Sequence, residues 1–235
     1  MSNERKTAQT MADEYNAKDF ENYFKVKRHE MLRYIPRDAS TVLDVGCAGG
    51  SFGELLKRER TVEVWGIEPN EDASKAASQR LDKVICDVFS NRLELPEKYF
   101  DCIVFNDVLE HLVDPYSVLE ECKYLLKDKG CIVASIPNVR YFDNIWNLLV
   151  DKNWEYSDWG ILDKTHLRFF TLRSITSTFE NLDFHVESIE GINPLEKIHP
   201  YRVRKFKFIN WLLRNKIEDM RYLQFAVVAR FKVSQ

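Results

Sequence analysis

No apolar run in the 235-residue chain approaches the roughly 18 residues that a bilayer span needs. The opening residues, MSNERKTAQTMADEYN, are polar and mixed in charge, without the apolar core of a secretory signal. Both absences lead us to expect a cytoplasmic protein. Neither sign of charge dominates: 34 basic and 37 acidic side chains leave a formal net charge of -3. No overall field draws such a chain to nucleic acid, which is therefore not an expected partner. Cysteine is sparse and odd in number, with Cys47, Cys86, Cys102, Cys122 and Cys131 never in Cys-x-x-Cys spacing. That argues against a disulfide framework and against a zinc knuckle, and most of these thiols fall in apolar runs where they read as core. Glycine is also scarce at eight residues, yet Gly46, Gly49, Gly50 and Gly53 crowd into one short stretch. What the chain does have, 45% hydrophobic and 30% charged residues, supports a sizeable core under a charged surface and excludes a disordered or fibrous class.

Residues 1–37 read as a polar tail followed by a helix over about 18–35, in which Phe20, Tyr23, Phe24, Met31, Leu32, Tyr34 and Ile35 recur at helical spacing before Pro36. From residue 38 short apolar runs alternate with amphipathic stretches, the pattern of a parallel sheet with crossover helices. The candidate strands are 41–46, 62–68, 83–87, 100–106 and 130–136, largely uninterrupted as strands buried on both faces should be. Helices fit SFGELLKRE, EDASKAASQRL behind a capping Asn70, and DPYSVLEECKYLL, the last stopping at Gly130. Residues 138–165 are too long for an ordinary connection and carry Tyr141, Phe142, Trp146, Trp154, Tyr156 and Trp159, so they read as an inserted aromatic lid. A helix over LRSITSTFEN, a strand over FHVESIEG, a basic helix at about 202–216 and a long strand RYLQFAVVARFKV complete a domain spanning 38–235.

VLDVGCAGGSFGELL is a strand, a glycine-rich turn and a helix, a geometry that aims backbone N–H groups at a ligand. Counted from Gly46, a dinucleotide fingerprint meets Ala48 and Ser51 where glycines belong, and a phosphate loop lacks its Gly-Lys-Ser. Asp44, two residues before the first glycine, repels a pyrophosphate but suits a cationic amino group. Glu68 ends the second strand, where a carboxylate accepts both ribose hydroxyls. Asp87 ends the third, placed for the exocyclic amine of adenine, with the Val88 N–H for the ring. The implied ligand joins ribose, adenine and a positively charged amino acid.

With these residues the chain resembles the class I S-adenosylmethionine-dependent methyltransferases, from about residue 38 onward. The family's acidic-x-Gly-x-Gly-x-Gly signature falls on Asp44, Gly46, Ala48 and Gly50; Ala48 departs from it, with Gly49 beside it to keep the turn flexible. The resemblance implies a cofactor, S-adenosyl-L-methionine, held by Asp44, Gly46, Cys47, Ala48, Gly49, Gly50, Glu68, Pro69, Asp87, Val88 and Asn106, and leaving as S-adenosyl-L-homocysteine. It also implies a Rossmann-like α/β fold, seven mostly parallel strands in the order 3-2-1-4-5-7-6 with strand 7 antiparallel.

Methyl transfer to a hydroxyl needs alignment, exclusion of water and a base. His166, just past the aromatic stretch, is the first candidate base, His111 in NDVLEH the second, with Asp107 or Asp163 to orient an imidazole. Asp107, Glu110, His111 and Asp114 also resemble a metal cluster, but acids at a helix start serve its dipole, and no metal is assigned. The resemblance and the aromatic stretch point to a small acceptor, a hydroxyl of a sugar or glycan precursor. The alternatives are a quinone-like phenol and a noncatalytic S-adenosylmethionine-binding assembly role. The six cations Arg202, Arg204, Lys205, Lys207, Arg214 and Lys216 mark a surface for weak contact with anionic lipid or a partner protein, or simply a solvated helix face.

Overall fold

The computed structural model describes residues 28–231. The tail and most of the helix expected over 18–35 lie outside the described residues; its end is a 3-10 turn, His29–Tyr34, that buries Met31 and Leu32. Seven strands make one sheet in the order β3-β2-β1-β4-β5-β7-β6. They are β1 Thr41–Val45, β2 Glu63–Ile67, β3 Lys83–Ile85, β4 Phe100–Asn106, β5 Leu126–Pro137, β6 Phe184–Pro194 and β7 Tyr222–Phe231. β1 pairs in parallel with β2 and β4, and β2 with β3. β7 runs antiparallel to both β5 and β6. The order implied by the resemblance is the order found. Among the described residues no helix is long and apolar enough to cross a membrane.

The chain forms two compact units, one running to Asn106 and including Glu121–Gly130, the other Asp107–Glu120 with the residues from Cys131 onward. In the first, every residue of β1 is buried, which its apolar sequence TVLDV allows on both faces. Helix α1 (Ser51–Glu59) leaves the glycine turn, and α2 (Glu71–Ala77) starts at Asn70, whose side chain accepts the Ala73 N–H. Asp101 pins the start of β1 to β4: its Oδ2 accepts from Ser40 and Thr41 and from the Lys127 ammonium at 2.9 Å. Burial alone would raise this carboxyl; the Lys127 and Ser40 donors hold it below the ordinary carboxylate range.

Several boundaries differ from the sequence reading, among them the basic helix, which ends at Leu212 rather than near 216. Helix α3 (Pro115–Leu125) stops short of Gly130, and β5 starts at Leu126, because the turn-like LKDKG is already strand and Lys127 has Asp101 as its counterion. β3 ends at Ile85, so Asp87 stands beyond the strand.

In the second unit, α4 (Phe142–Leu149), α5 (Leu172–Glu180, opened by a Thr171–Ser174 capping box) and α6 (Val203–Leu212) accompany β6 and β7. The aromatic stretch divides. Tyr141 and Phe142 are buried with Ile161, Leu195, Phe206 and Met220, so they build core, whereas Tyr156 and Trp159 are exposed. Their apolar area is removed from water by α6 and the chain before β7, which the sequence does not show to be neighbours.

Candidate active site

In the first unit, the turn after β1 is tied down from within. The Gly46 and Cys47 N–H groups both donate to the Ile67 carbonyl, at 2.8 and 3.1 Å, and the Gly50 N–H donates to the Cys47 carbonyl at 2.8 Å. The backbone is left-handed at Gly46 (φ 69°), Ala48 (φ 48°) and Gly50 (φ 75°). Gly49 is not among the left-handed residues and so does not compensate for Ala48, which bears the cost of its own Cβ, about 1–2 kcal/mol. Gly66 in β2 makes room for the turn: a Cβ there would lie 2.5 Å from the Cys47 sulfur. Cys47 itself is buried, and burial first, then Asp44 and Glu68, pushes its thiol up, so it packs rather than reacts.

Two acids share this interior. Glu68 is fully buried and braces the turn, its Oε2 accepting the Ala48 N–H and its Oε1 the Asn70 N–H, each at 2.9 Å. Asp44 is equally buried; burial, then the charge of Glu68, pushes its carboxyl up to about 8. Its Oδ2 has no hydrogen-bond partner among the described residues, and neither has the amide of Asn106 at the end of β4, the neighbour of β1. Buried polar atoms in this state call for a ligand that serves them. A cationic amino group satisfies Asp44 and restores its charge, while a pyrophosphate would bring a further anion; the residues fit an adenosyl sulfonium amino acid. Asp87 is exposed and its Oδ1 accepts the Val88 N–H at 2.7 Å, so contact with adenine through that N–H requires this bond to open. Pro69 and Val88 are exposed.

The expected catalytic residues lie in the second unit. Asp107 has a left-handed backbone at φ 55°. Its carboxylate accepts the Ser135 hydroxyl at 2.8 Å and the Gln224 amide at 2.8 Å on both oxygens. Asp163 Oδ1 accepts the Thr165 N–H and hydroxyl at 2.9 and 2.7 Å, and that hydroxyl lies 3.0 Å from Nδ1 of His111. Asp114 caps α3 through Ser117 and Tyr116. Glu110 approaches His166, with Oε1 3.8 Å from Nε2 and side chains 1% and 5% exposed. The His111 and His166 rings meet edge to face with centroids 4.6 Å apart. Backbone bonds fasten the arrangement, since the Glu110 carbonyl accepts the Leu167 and Arg168 N–H groups at 2.8 and 3.0 Å. Thr165 and Gln224 were not legible as site residues, because each acquires its role from a partner distant in the chain, and Glu110 was read only as a helix-start acid in a dismissed cluster.

The sequence pattern of a methyltransferase domain family matches residues 15–189. A ubiquinone biosynthesis O-methyltransferase of Actinobacillus pleuropneumoniae serotype 5b (strain L20) is 36% identical over 122 residues, 46% of this chain and 52% of the relative. A protein of the same name from Shewanella sp. (strain ANA-3) is 27% identical over 185 residues, 72% of this chain and 77% of the relative. For most of these curated relatives the chain spans about half of their length. A SAM-dependent methyltransferase from Archaeoglobus fulgidus superposes with a TM-score of 0.63 at 25% identity, over 89% of this chain and 97% of that one. A family match over more than half of the sequence, on a sheet of this order, means that the chain belongs to the methyltransferase domain family, in the class I branch that takes its methyl group from S-adenosylmethionine.

Proposed function

We propose that the protein methylates a phenolic hydroxyl on a quinone-like acceptor. What carries this reading is the agreement of relatives from several organisms, all named ubiquinone biosynthesis O-methyltransferase. The sugar hydroxyl expected from the sequence has no such support, and it loses part of its physical basis because Tyr141 and Phe142 are core.

S-adenosylmethionine, when bound, supplies a methyl carbon already made electrophilic by the sulfonium. Asp44 would hold its amino group, Glu68 the ribose hydroxyls, Asp87 and Val88 the adenine, and Asn106 the methionine part. The turn Gly46–Gly50 and Pro69 would complete the cofactor site. As the acceptor oxygen is methylated it must lose a proton, and His111 and His166 are the groups for it. Each ring has Nδ1 on a backbone carbonyl, Thr165 at 3.2 Å and Ile161 at 2.9 Å, so Nε2 is the working atom.

The α6 region suits an acceptor with a lipid tail. Phe208, Trp211 and Leu212 are exposed beside the exposed cations Arg204, Lys207, Arg214 and Lys216. Arg202 is spent on Asp143 at 2.7 Å, and Lys205 lies 3.7 Å from the Trp146 ring centroid. Apolar rings beside outward cations are what an anionic membrane surface binds. Transfer of labelled methyl groups from S-adenosylmethionine to prenylated catechols, with sugar nucleotides alongside, tests the reading. Label in the catechols supports it; label in the sugars alone, or cofactor binding with no transfer to any acceptor, defeats it.

A further inference from the structure

The two acids in the interior of the first unit are not served alike. Glu68 has a backbone donor on each oxygen, the Ala48 N–H on one and the Asn70 N–H on the other, and donors of this kind favour a charged carboxylate. Asp44 is 2% exposed and has no donor on Oδ2. Its strand neighbours supply none: in register it pairs with Gly66 of β2 and Val104 of β4, neither of which has a polar side chain. The titratable groups that act on it or feel it are Glu68 and the Cys47 thiol, and neither can neutralise a carboxylate. Arg80, a cation that reaches the turn, donates to the Gly49 carbonyl and lies 3.5 Å from Glu54. At the end of β4 the Asn106 amide has no partner on either its oxygen or its nitrogen. A carboxyl this deep, beside a second acid and short of a donor, is held neutral by a proton.

We infer that the cofactor site is proton-linked: in the ligand-free protein a proton on Asp44 stands in for the ligand's ammonium group, and it is expelled when the cofactor binds. This deepens the reading above and rests on its placing the amino group at Asp44. The exchange balances. The Asp44 O–H bond breaks, its proton goes to solvent, and the carboxylate so formed pairs with an ammonium that is already charged. No electrons move. Glu68 sets the sense of the exchange, because its charge opposes a bare second carboxylate and does not oppose one paired with a cation. S-adenosylmethionine and S-adenosylhomocysteine carry the same ammonium group, so the proton leaves when either binds and returns when either dissociates. An adenosyl ligand without the amino acid portion leaves Asp44 protonated.

The pH range follows from the site. Burial, and after it Glu68, pushes the Asp44 carboxyl of the ligand-free protein up to about 8. Below that value binding displaces a proton, so affinity rises with pH by up to about tenfold per unit; above it the carboxylate is already bare and the affinity levels off.

Calorimetric titration of the full chain with S-adenosylhomocysteine at about pH 7, in phosphate and in imidazole, reads the proton from the difference in buffer ionisation heat. We expect close to one proton released per ligand bound, and an affinity that rises about 50-fold between about pH 6 and about pH 8. Asp44→Asn should show neither effect. 5′-Methylthioadenosine, which lacks the amino acid portion, should bind the wild-type protein without releasing a proton, a comparison that depends on no variant. No proton released with S-adenosylhomocysteine, or equal release with 5′-methylthioadenosine or from Asp44→Asn, overturns the linkage. Two failures are distinguishable. An Asp44→Asn protein that binds S-adenosylhomocysteine as tightly as the wild type at about pH 8.5 overturns the placing of the amino group at Asp44, and the linkage with it. Weakened binding by that variant, with no proton released by the wild type, leaves the placing intact and defeats the linkage alone.

Discussion

Replacing Asp44 by asparagine separates what the residue gives a ligand from what it costs the ligand-free fold. An unfolded chain releases this proton near 3.8, whereas burial and, secondarily, Glu68 make the folded chain keep it until about 8. Over that window the native state holds the extra proton. The associated stability is therefore complete below the lower value, falls by about 1.4 kcal/mol per pH unit as the pH rises, and levels off above about 8. Across the roughly four units the change is on the order of 5 kcal/mol, a large part of the ~5–15 kcal/mol that holds a domain together. Asparagine keeps the shape and cannot ionise. Urea unfolding of both proteins, without ligand, should show the variant's advantage growing by several kcal/mol between about pH 5 and about pH 8.5. The same variant should bind S-adenosylhomocysteine about 10–100-fold more weakly, having lost a charge-assisted bond worth about 1.5–3 kcal/mol. A stability difference that does not move with pH would refute the assignment of Asp44 as a buried acid waiting for a cation.

Gly66→Ala sets a methyl 2.5 Å from the Cys47 sulfur and 2.7 Å from Leu81 Cδ1, and should cost about 1–3 kcal/mol in thermal unfolding; an unchanged melting temperature would mean that the turn is not packed against β2 as described. Ala48→Gly relieves the left-handed alanine and should stabilise by up to about 1 kcal/mol, so a loss of stability would contradict that geometry. Gln224→Leu deprives the Asp107 carboxylate of its amide donor and should cost about 1–3 kcal/mol, checked by denaturant titration. Sedimentation with phosphatidylglycerol vesicles should carry down the wild-type chain at low salt and much less of a Phe208→Ser/Trp211→Ser variant; equal pelleting would remove α6 as the contact.

The sheet was legible because β1, β2 and β4 are unbroken apolar runs and because Asn70 and the Thr171–Ser174 box mark helix starts in ways that need no tertiary context. Asp44 and Glu68 were legible for a related reason: an acid where a buried strand gives way to glycine or proline has few purposes. The acceptor side was not. His111 meets Thr165 across 54 positions, and nothing local distinguishes Glu110 from the helix-start acid that Asp114 proves to be. The aromatic stretch misled for the opposite reason, since Tyr141 and Trp159 have the same composition signal but one is core and the other faces solvent.

The insertion of β7 between β5 and β6 has a consequence for assembly. Among the described strands β6 pairs with β7 alone, so its eleven residues have no sheet neighbour until that later strand is in place. The amide that grips Asp107 arrives on the same strand, 117 positions downstream. Long-range closures of this kind form slowly. A nascent chain therefore reaches its acceptor-side geometry only at the last step of sheet formation, and until then it carries an open β-edge that chaperones, or a second copy, can occupy.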